Sequence, residues 1–255
     1  KTLATELSEL CRLSYELNGH ITSEEATQMT KEIRKSLFEY IQSNRFLQTE
    51  SGKAYTKMVV QRYAPECIDN YDTIWESAIR RTVRRTQQAM ESLVHNLNSL
   101  HARAGAQIPF SSINFGTATS WEGRLVSFKF LDAVDAGLGN GETPIFPISI
   151  FKMKKGINVN PEDPNYDLFK KSIRTTAKRM YPNFSNLDAP FNAMYYKEGN
   201  VATEASYMGC RTRVLSDING ENEVTRRGNL SFTTINLPRI ALTTKEIDEF
   251  YQKLQ

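Results

Sequence analysis

The chain is poor in the residues that most often build metal and nucleophilic sites. Its 255 residues include three cysteines and three histidines, and no Cys-x-x-Cys unit occurs. These residues are Cys11, Cys67 and Cys210, and His20, His95 and His101. A cysteine zinc site and a Ser-His-Asp triad within these residues are therefore poorly supported. An odd set of thiols without disulfide-like spacing favours a reducing, cytoplasmic compartment.

Long hydrophobic runs are also missing. No segment approaches the roughly 18 consecutive apolar residues of a membrane span. Residues 1–10 contain two glutamates and no apolar core, so no secretory signal is expected. The glycine-rich segment 137–141 lacks the Lys-Ser/Thr of a P-loop and the spacing of a dinucleotide fingerprint. It is typical of a flexible turn after a helix, with a phosphate contact as the alternative.

Positive and negative charges nearly balance. The formal net charge of +3 is too small to indicate nucleic acid as a partner. Four arginines nevertheless cluster at helical spacing, namely Arg80, Arg81, Arg84 and Arg85. Their spacing predicts one basic face of a helix. We interpret it as a solvated face with acidic neighbours elsewhere, and a phosphate-bearing ligand or an acidic partner is the alternative.

Residues 1–100 have the hydrophobic period of helices. Leucines recur at helical spacing from Leu3 to Leu17, and a second apolar stripe follows a capping box formed by Thr22 and Glu25. A polar loop is predicted around Thr49 to Lys53, and a further helical stripe runs from Trp75 to Leu100. The sequence therefore predicts a helical region over residues 1–100.

From residue 101 the pattern changes to short apolar runs between Gly, Pro and Asn. Four of these runs predict strands: IPFSSINFG (108–116), PIFPISIF (144–151), CRTRVL (210–215) and LSFTTINL (230–237). Helices are predicted at 121–136 and 166–180, and a closing helix after a capping box of Thr243 and Glu246. Strands that alternate with helices predict an α/β fold with parallel strands over residues 101–255.

Cys210 lies between a glycine and an arginine in the segment YMGCRTRV. Arg211 and Arg213 would lower the pKa of a neighbouring thiol, but Arg211 points away from Cys210 if this segment is a strand. No histidine lies nearby in sequence to hold the thiol ionised. From spacing alone, a buried structural thiol is as well supported as any reactive role.

Six motifs, in this order, carry a resemblance to a known family. They are RAGAQIPFSSINFGT, AGLGNGETPIFPISIFK, DPNYDLF, AKRMYPNFSNLDAPFN, YMGCRTRV and GNLSFTTINLPRIAL. Together they closely resemble the catalytic barrel of anaerobic (class III) ribonucleoside-triphosphate reductases, over about Gln88 to Leu242. The resemblance implies part of a ten-stranded α/β barrel of the glycyl-radical and ribonucleotide-reductase type. It implies reduction of ribonucleoside triphosphates to 2'-deoxyribonucleoside triphosphates by thiyl and glycyl radical chemistry, with formate as reductant.

The resemblance assigns catalytic roles to the last two motifs. Cys210 matches the cysteine that becomes a thiyl radical and abstracts the ribose 3'-hydrogen. Gly209 lets the backbone bend sharply or approach the sugar, and Met208 neighbours the radical path, with simple packing as the alternative. An asparagine of GNLSFTTINL contacts the ribose hydroxyls and formate, and Asn229 is favoured over Asn236.

Two earlier motifs are expected to line the substrate cleft. The motif PFSSIN is predicted to meet substrate at a barrel strand, with a polar strand end as the alternative, and GLGNGETPIFP supplies further candidates. The candidate residues are Ser111, Ser112 and Asn114 from the first motif, and Gly139, Asn140 and Glu142 from the second.

Some features of the resembling family do not occur in these residues. The sequence contains no RVCGY-like glycyl-radical segment, no four-cysteine zinc site and no N-terminal nucleotide-binding cone. The glycyl radical and the zinc are therefore expected on segments outside it, and the second active-site cysteine is not assigned. The expectation is an internal portion of a larger reductase that is inactive alone. The alternative is a non-catalytic truncated relative that serves as a nucleotide-binding or assembly module.

The resemblance also implies partners. ATP binding and allosteric control by ATP and deoxyribonucleoside triphosphates are expected, with the helical region 1–100 as the candidate dimer or effector region. A homodimer and a radical-SAM iron–sulfur activating protein are further expectations. The role would be deoxyribonucleotide biosynthesis for DNA replication, without direct contact to nucleic acid or membrane.

Overall fold

The computed structural model describes residues 1–17, 22–44, 46–101, 107–209, 212–214, 224 and 234–254. The helices in these ranges are α1 (Thr2–Leu17), α2 (Ser23–Asn44), α3 (Glu50–Tyr63), α4 (Tyr71–Ser99), α5 (Trp121–Ala136), α6 (Tyr166–Arg179), α7 (Pro190–Ala193), α8 (Leu237–Leu242) and α9 (Ile247–Leu254). The strands are β1 (Ser112–Phe115), β2 (Ile148–Met153), β3 (Asn183–Asn186), β4 (Ser206–Met208) and β5 (Thr212–Val214).

The apolar stripes of the first helices form one core. Leu7 of α1 and Ile33 and Leu37 of α2 are fully buried in a cluster that also takes in α3 and α4. The predicted capping box begins α2: the N–H of Thr22 donates to Oε2 of Glu25 at 2.8 Å, and the N–H of Glu25 donates to Oγ1 of Thr22 at 3.3 Å. The helices predicted from Leu3 and from Trp75 are confirmed.

The basic face of α4 contacts a buried carboxylate. Nε of Arg85 lies 2.7 Å from Oε1 of Glu6, and Nη1 of Arg81 lies 3.9 Å from Oε2 of the same residue. The side chain of Glu6 is only 3% exposed, so these ion pairs join α1 to α4. For these two arginines the acidic neighbour lies within the chain.

The polar loop predicted around Thr49 to Lys53 is wrong. Thr49 is the N-cap of α3, and its side chain accepts a hydrogen bond from the N–H of Gly52 at 3.0 Å. Gly52 is buried so closely that a Cβ there would lie 2.4 Å from the carbonyl oxygen of Leu47. Gly52 therefore permits close packing within a helix, although a glycine in a polar segment of the sequence is typical of a loop.

Cys11 and Cys67 belong to the helical core. Both are fully buried, and Sγ of Cys67 donates to the carbonyl oxygen of Cys11 at 3.8 Å. The hydrogen bond with Cys67, together with burial, raises the pKa of the Cys11 thiol. A raised pKa keeps that thiol protonated and unreactive.

The strands and helices from β1 to β3 alternate along the chain. They form a parallel sheet in the order β1-β2-β3, with α5 and α6 as the connections. This confirms the predicted α/β class with parallel strands. The strand β3, with the sequence NFSN, was not predicted.

The two faces of this sheet differ in character. The register sets Asn114 beside Ile150 and Ile150 beside Asn183, so these side chains share one face. The opposite face carries Phe115 and Phe151, whose rings meet edge to face at 5.5 Å between centroids. This apolar face packs on the buried side chains of α5 and α6, whereas the first face is the more polar one.

The strands β4 and β5 form an antiparallel hairpin apart from the parallel sheet, with Met208 opposite Thr212. Residues 212–214 confirm part of the strand predicted at 210–215. In the described part of the chain, every helix is too short or too polar to cross a membrane.

The strand predicted at 230–237 is wrong over residues 234–237, the part of it that the structure describes. Residues 230–233 lie outside the described ranges, and Leu237 begins α8. Asn236 is the N-cap of α8, because its Oδ1 accepts from the N–H of Arg239 at 2.9 Å. The side chain of Asn236, the less favoured of the two candidates for the substrate contact, is engaged at the start of a helix.

The capping box predicted at Thr243 and Glu246 is also wrong. Oγ1 of Thr243 donates to the carbonyl oxygen of Arg239 at 2.9 Å, which ends α8 rather than beginning α9. The N–H of Lys245 instead donates to Oε2 of Glu249 at 3.2 Å. Because α9 begins shortly after α8 ends, Thr243 bonds to a carbonyl group at the end of α8 and does not cap α9.

Candidate active site

Two side chains of β1 hold the strand that leads to Cys210. Nδ2 of Asn114 donates to the carbonyl oxygen of Tyr207 at 2.8 Å, and its Oδ1 accepts from the N–H of Tyr207 at 2.9 Å. Oγ of Ser112 accepts from the N–H of Gly209 at 3.1 Å. Ser112 and Asn114 lie on the same face of β1 because side chains alternate along a strand. The structure thus brings together three of the residues that the sequence predicted for the site.

Gly209 has a conformation that favours glycine. Its φ is +59°, in the left-handed region, and an added Cβ would lie 3.1 Å from Cε1 of Phe110. Phe110 in turn meets Phe146 edge to face, with 5.0 Å between ring centroids. A side chain at Gly209 would therefore strain the backbone and press on an aromatic pair.

Cys210, Arg211 and Asn229 lie outside the described residues. In the chain, Cys210 lies between Met208, the last residue of β4, and Thr212, the first residue of β5. The guanidinium of Arg213 lies 5.0 Å from the ring centroid of Phe191. Its Nη1 also donates to the carbonyl oxygen of Phe191 at 3.2 Å, so this arginine is engaged by a neighbouring segment.

Other predicted residues have structural contacts. Met208 is half-buried at the end of β4. Oγ of Ser111 donates to the carbonyl oxygen of Pro109 at 3.4 Å, and the carbonyl oxygen of Ser111 accepts from the N–H of Ile148 at 2.9 Å. Ser111 therefore extends the pairing of β1 with β2 by one step.

The loop with Gly139, Asn140 and Glu142 is held at the end of α5. Oε2 of Glu142 accepts from the N–H of Asn140 at 2.9 Å, and hydrogen bonds from the backbone N–H groups of Glu142 and Asn140 lower the pKa of this exposed carboxyl. Nη1 of Arg179 donates to the carbonyl oxygen of Gly141 at 2.7 Å. Among the described residues, no hydrogen bond joins this loop to Ser112, Asn114 or Gly209.

A buried ion pair that the sequence did not reveal lies next to β4. The carboxylate of Glu204, which is 4% exposed, lies 3.4 Å from Nζ of Lys152 and 3.6 Å from Nζ of Lys154. Burial lowers the pKa of Lys152, and the charge of Glu204 opposes part of that shift. Oγ1 of Thr117 also donates to Glu204 at 3.3 Å. The position of Lys152 within the apolar run of β2 is the feature of the sequence from which a buried ion pair could have been predicted.

A cleft opens on the polar face of the sheet. Its volume is about 580 Å³, and its lining includes Ile150, Tyr181, Asn183, Phe184, Ser185 and Tyr207. Ser185 is 4% exposed, and its hydroxyl has no hydrogen-bond partner in the described part of the chain. Tyr207 joins this cleft to the strand that leads to Cys210.

Among the side chains that the structure describes, no group of three or more His, Cys, Asp or Glu residues could hold a metal ion.

Comparison with known proteins identifies the class. The family model described as anaerobic ribonucleoside-triphosphate reductase matches residues 10–255. Proteins of that name are similar to this chain. The one from Escherichia coli is 38% identical over 177 residues, which are 68% of this chain and 24% of the relative. The one from Haemophilus influenzae is 38% identical over 168 residues, 65% of this chain and 23% of the relative.

A phage protein of the same name extends the comparison. The protein from Enterobacteria phage T4 is 35% identical over 165 residues, 64% of this chain and 26% of the relative. The matched region thus spans about a quarter of the length of these relatives. Fold and site define an α/β protein in which an antiparallel hairpin is held against a parallel sheet by side chains of β1. The chain belongs to the anaerobic ribonucleoside-triphosphate reductase family.

Proposed function

We propose that this chain is a portion of the catalytic subunit of an enzyme that reduces ribonucleoside triphosphates to 2'-deoxyribonucleoside triphosphates under anaerobic conditions. One observation carries the proposal. Two motifs separated by 93 residues meet, because Asn114 of PFSSIN holds the backbone of Tyr207 in YMGCRTRV. A stiffly held strand beside Cys210 is what hydrogen-atom transfer needs, since the sulfur must be kept at contact distance from one carbon of the substrate.

In this proposal Cys210 acts as a thiyl radical and takes the hydrogen atom from C3' of the ribose. The S–H bond is weak enough that the same atom can be returned to the sugar later. Ser112 and Asn114 act as positioning residues, and Asn229 donates hydrogen bonds to the ribose hydroxyls and to formate. Formate is oxidised and supplies the two electrons that the loss of the 2'-hydroxyl consumes. A glycyl radical on a segment outside these residues would supply the unpaired electron.

The proposal extends to the assembly. The parallel sheet and the hairpin would be part of a ten-stranded α/β barrel, and the helical region 1–100 would serve dimerisation or binding of ATP and deoxynucleotide effectors. A radical-SAM iron–sulfur protein would activate the enzyme, and the zinc would sit outside these residues. The polar hairpin-facing side of the sheet supports this arrangement, because a barrel interior must present polar groups to a sugar.

The test uses the full-length protein that contains this chain. After anaerobic activation, we expect CTP and formate to give deoxycytidine triphosphate and carbon dioxide in equal amounts. Carbon-labelled formate measures the second product. Binding of nucleotide without either product would instead support a nucleotide-binding or assembly module. Deoxynucleotide formed without oxidation of formate would show that the electrons come from a reductant other than formate.

A further inference from the structure

Three pairs of residues join β1 and its continuation to the segment that leads to Cys210. They are Ser112 with Gly209, Asn114 with Tyr207, and Thr117 with Glu204. Each step forward along β1, of two residues and then of three, is matched by an equal step backward along the other segment. This is the register of an antiparallel pair, and side chains of β1 and its continuation form it.

Two of these three contacts do not depend on which residue lies opposite. Asn114 bonds to the backbone of Tyr207, and Ser112 accepts from the backbone N–H of Gly209. Every residue except proline offers the same backbone groups, so these bonds fix the distance of the strand but not its register. The register must be selected by side chains. Gly209 contributes to that selection, because a Cβ there would lie 3.1 Å from the ring of Phe110.

Glu204 supplies the charged side-chain contact of this segment. Its buried carboxylate lies 3.4 Å from Nζ of Lys152 and 3.6 Å from Nζ of Lys154, and the hydroxyl of Thr117 donates to it at 3.3 Å. The carboxylate is thereby tied to the ends of β1 and β2 at once. A shift that keeps the same face moves a strand by two residues, or about 6.6 Å, and would separate Glu204 from all three partners.

The buried ion pair of Glu204 is an inefficient source of stability. Desolvation of the two charges offsets much of their attraction, and apolar side chains of similar volume often stabilise as well. The best-documented benefit of such buried polar groups is the choice of one register among several. The backbone before β4 is also held, since the N–H of Glu204 donates to the carbonyl oxygen of Val201 at 3.2 Å and Asn200 caps the turn Val201–Thr203.

We propose that Glu204 is a positioning residue that sets the register of the strand leading to Cys210, with Lys152, Lys154 and Thr117 as the partners that define its place. The inference rests on the proposed function, because it assumes that Cys210 is the reacting thiol. Only five residues separate Glu204 from Cys210 in the chain. A change of register would therefore displace the sulfur, and a displacement of about 1 Å at a reacting atom costs up to about 100-fold in rate.

The experiment separates register from stability by two changes at this pair in the full-length protein. Glu204→Gln leaves Lys152 without its full counter-charge, whereas Lys152→Met/Glu204→Met removes both charges and keeps side chains of similar length. We expect the denaturation midpoint to fall in the first variant and to return close to that of the unaltered protein in the second. The value of kcat should fall about 10- to 100-fold in both, while the dissociation constant of CTP stays within about twofold.

Asp132→Asn is the matched control. Asp132 also lies between two lysines, with its carboxylate 3.0 Å from Nζ of Lys129 and 2.6 Å from Nζ of Lys171. It joins α5 to α6, which pack on the opposite face of the sheet from β4. This variant should lose some stability and keep the kcat of the unaltered protein.

A second measurement follows the thiol without turnover. Iodoacetamide is added to the unactivated protein, and alkylation is quantified by mass spectrometry of the peptide that contains Cys210. The rate should rise about threefold or more in both Glu204 variants, because a strand without a fixed register exposes the thiol more often. It should stay constant in Asp132→Asn.

Two results would overturn the assignment. Recovery of kcat and of the alkylation rate together with the midpoint in the double variant would show that the pair only stabilises the fold. Unchanged kcat and alkylation in both variants would show that the register is set elsewhere. If the alkylation rates change as expected but the unaltered protein makes no deoxynucleotide, the proposed function alone is contradicted.

Discussion

Asn114 and Tyr207 are joined by a pair of hydrogen bonds that imitates one step of a β-ladder. The amide of the side chain donates at 2.8 Å and accepts at 2.9 Å, as a backbone peptide of a neighbouring strand would. A side chain that substitutes for backbone fixes both the distance and the orientation of β4. The strand before Cys210 is thereby aligned with the parallel sheet.

Loss of this pair should affect turnover more than nucleotide binding. Asn114→Asp keeps the acceptor and the shape but removes the donor. We expect kcat to fall about 10- to 100-fold, since a displacement of about 1 Å at a reacting atom costs up to about 100-fold. The dissociation constant for CTP should stay within about twofold of its value in the unaltered protein, because the Asn114 side chain bonds to the backbone of Tyr207 and not to the nucleotide.

The control for Asn114→Asp is Asn160→Ala. Asn160 is an exposed loop residue that the sequence does not assign to the site. The kcat of this control should stay unchanged. A parallel loss of kcat and of CTP affinity in Asn114→Asp would contradict the positioning role and return Asn114 to substrate contact.

Cys210→Ser in the full-length enzyme should abolish turnover. Serine is close to cysteine in size, but its O–H bond is too strong for ready hydrogen exchange. Folding and nucleotide binding should remain nearly intact, as judged by the thermal midpoint and by CTP titration. Deoxynucleotide formation above a few per cent of the unaltered rate would contradict the assignment.

Asn229 and Asn236 should differ sharply when each is changed to alanine. Loss of a hydrogen bond formed in the transition state should lower the turnover of Asn229→Ala about 10- to 1,000-fold. Asn236 caps α8, so Asn236→Ala should reduce stability by about 1 kcal/mol and leave turnover nearly unchanged. The reverse ranking of the two rates would assign the substrate contact to Asn236.

Glu204→Gln should destabilise the protein by leaving Lys152 without a full counter-charge. Lys152 is 8% exposed and Glu204 is 4% exposed. Removal of one partner of a buried pair costs about 3 kcal/mol, which chemical denaturation measures. Glu198→Gln, at an exposed position of the neighbouring segment, is the control and should cost almost nothing. Equal midpoints for the two variants would show that the pair contributes little.

The deficit of Glu204→Gln should also depend on pH. Burial already lowers the pKa of Lys152, and loss of the glutamate charge should lower it further. At a pH below the folded-state pKa of Lys152 in both the unaltered protein and Glu204→Gln, Lys152 is protonated in either protein. The variant then shows its full loss of unfolding free energy. As pH rises through these two pKa values, folded Lys152 loses its proton and the deficit shrinks. A deficit that grows with pH in this window would contradict the assigned cause.

The sequence predicted the elements whose signals are local. The helices α5 and α6 follow from apolar periodicity, and Ser120 caps α5 by accepting from the N–H of Gly123 at 3.2 Å. The parallel order of β1 and β2 follows from their alternation with helices. The candidate residues Ser112, Asn114 and Gly209 were predicted from motifs, and in the structure Ser112 contacts Gly209 while Asn114 contacts Tyr207 in the same strand segment.

Other features depend on long-range contacts or on competing local signals. The strand β3 has polar residues, Asn183 and Ser185, that face the cleft, so it lacks the apolar run of a buried strand. The pairing of Asn114 with backbone 93 residues away has no periodic signal. Asn236 could have been predicted as a cap, because Pro238 follows it in the first turn of α8.

In the part of the chain that the structure describes, the hairpin of β4 and β5 forms no continuous ladder with β1. The side chains of Ser112 and Asn114 hold it on the sheet, and once these few hydrogen bonds break it opens while the parallel sheet keeps its own hydrogen bonds. Amide hydrogens of residues 206–208 should exchange with deuterium sooner than those of residues 148–153, whose strand has a partner on both sides. Substrate that orders the hairpin would slow exchange at the first set alone.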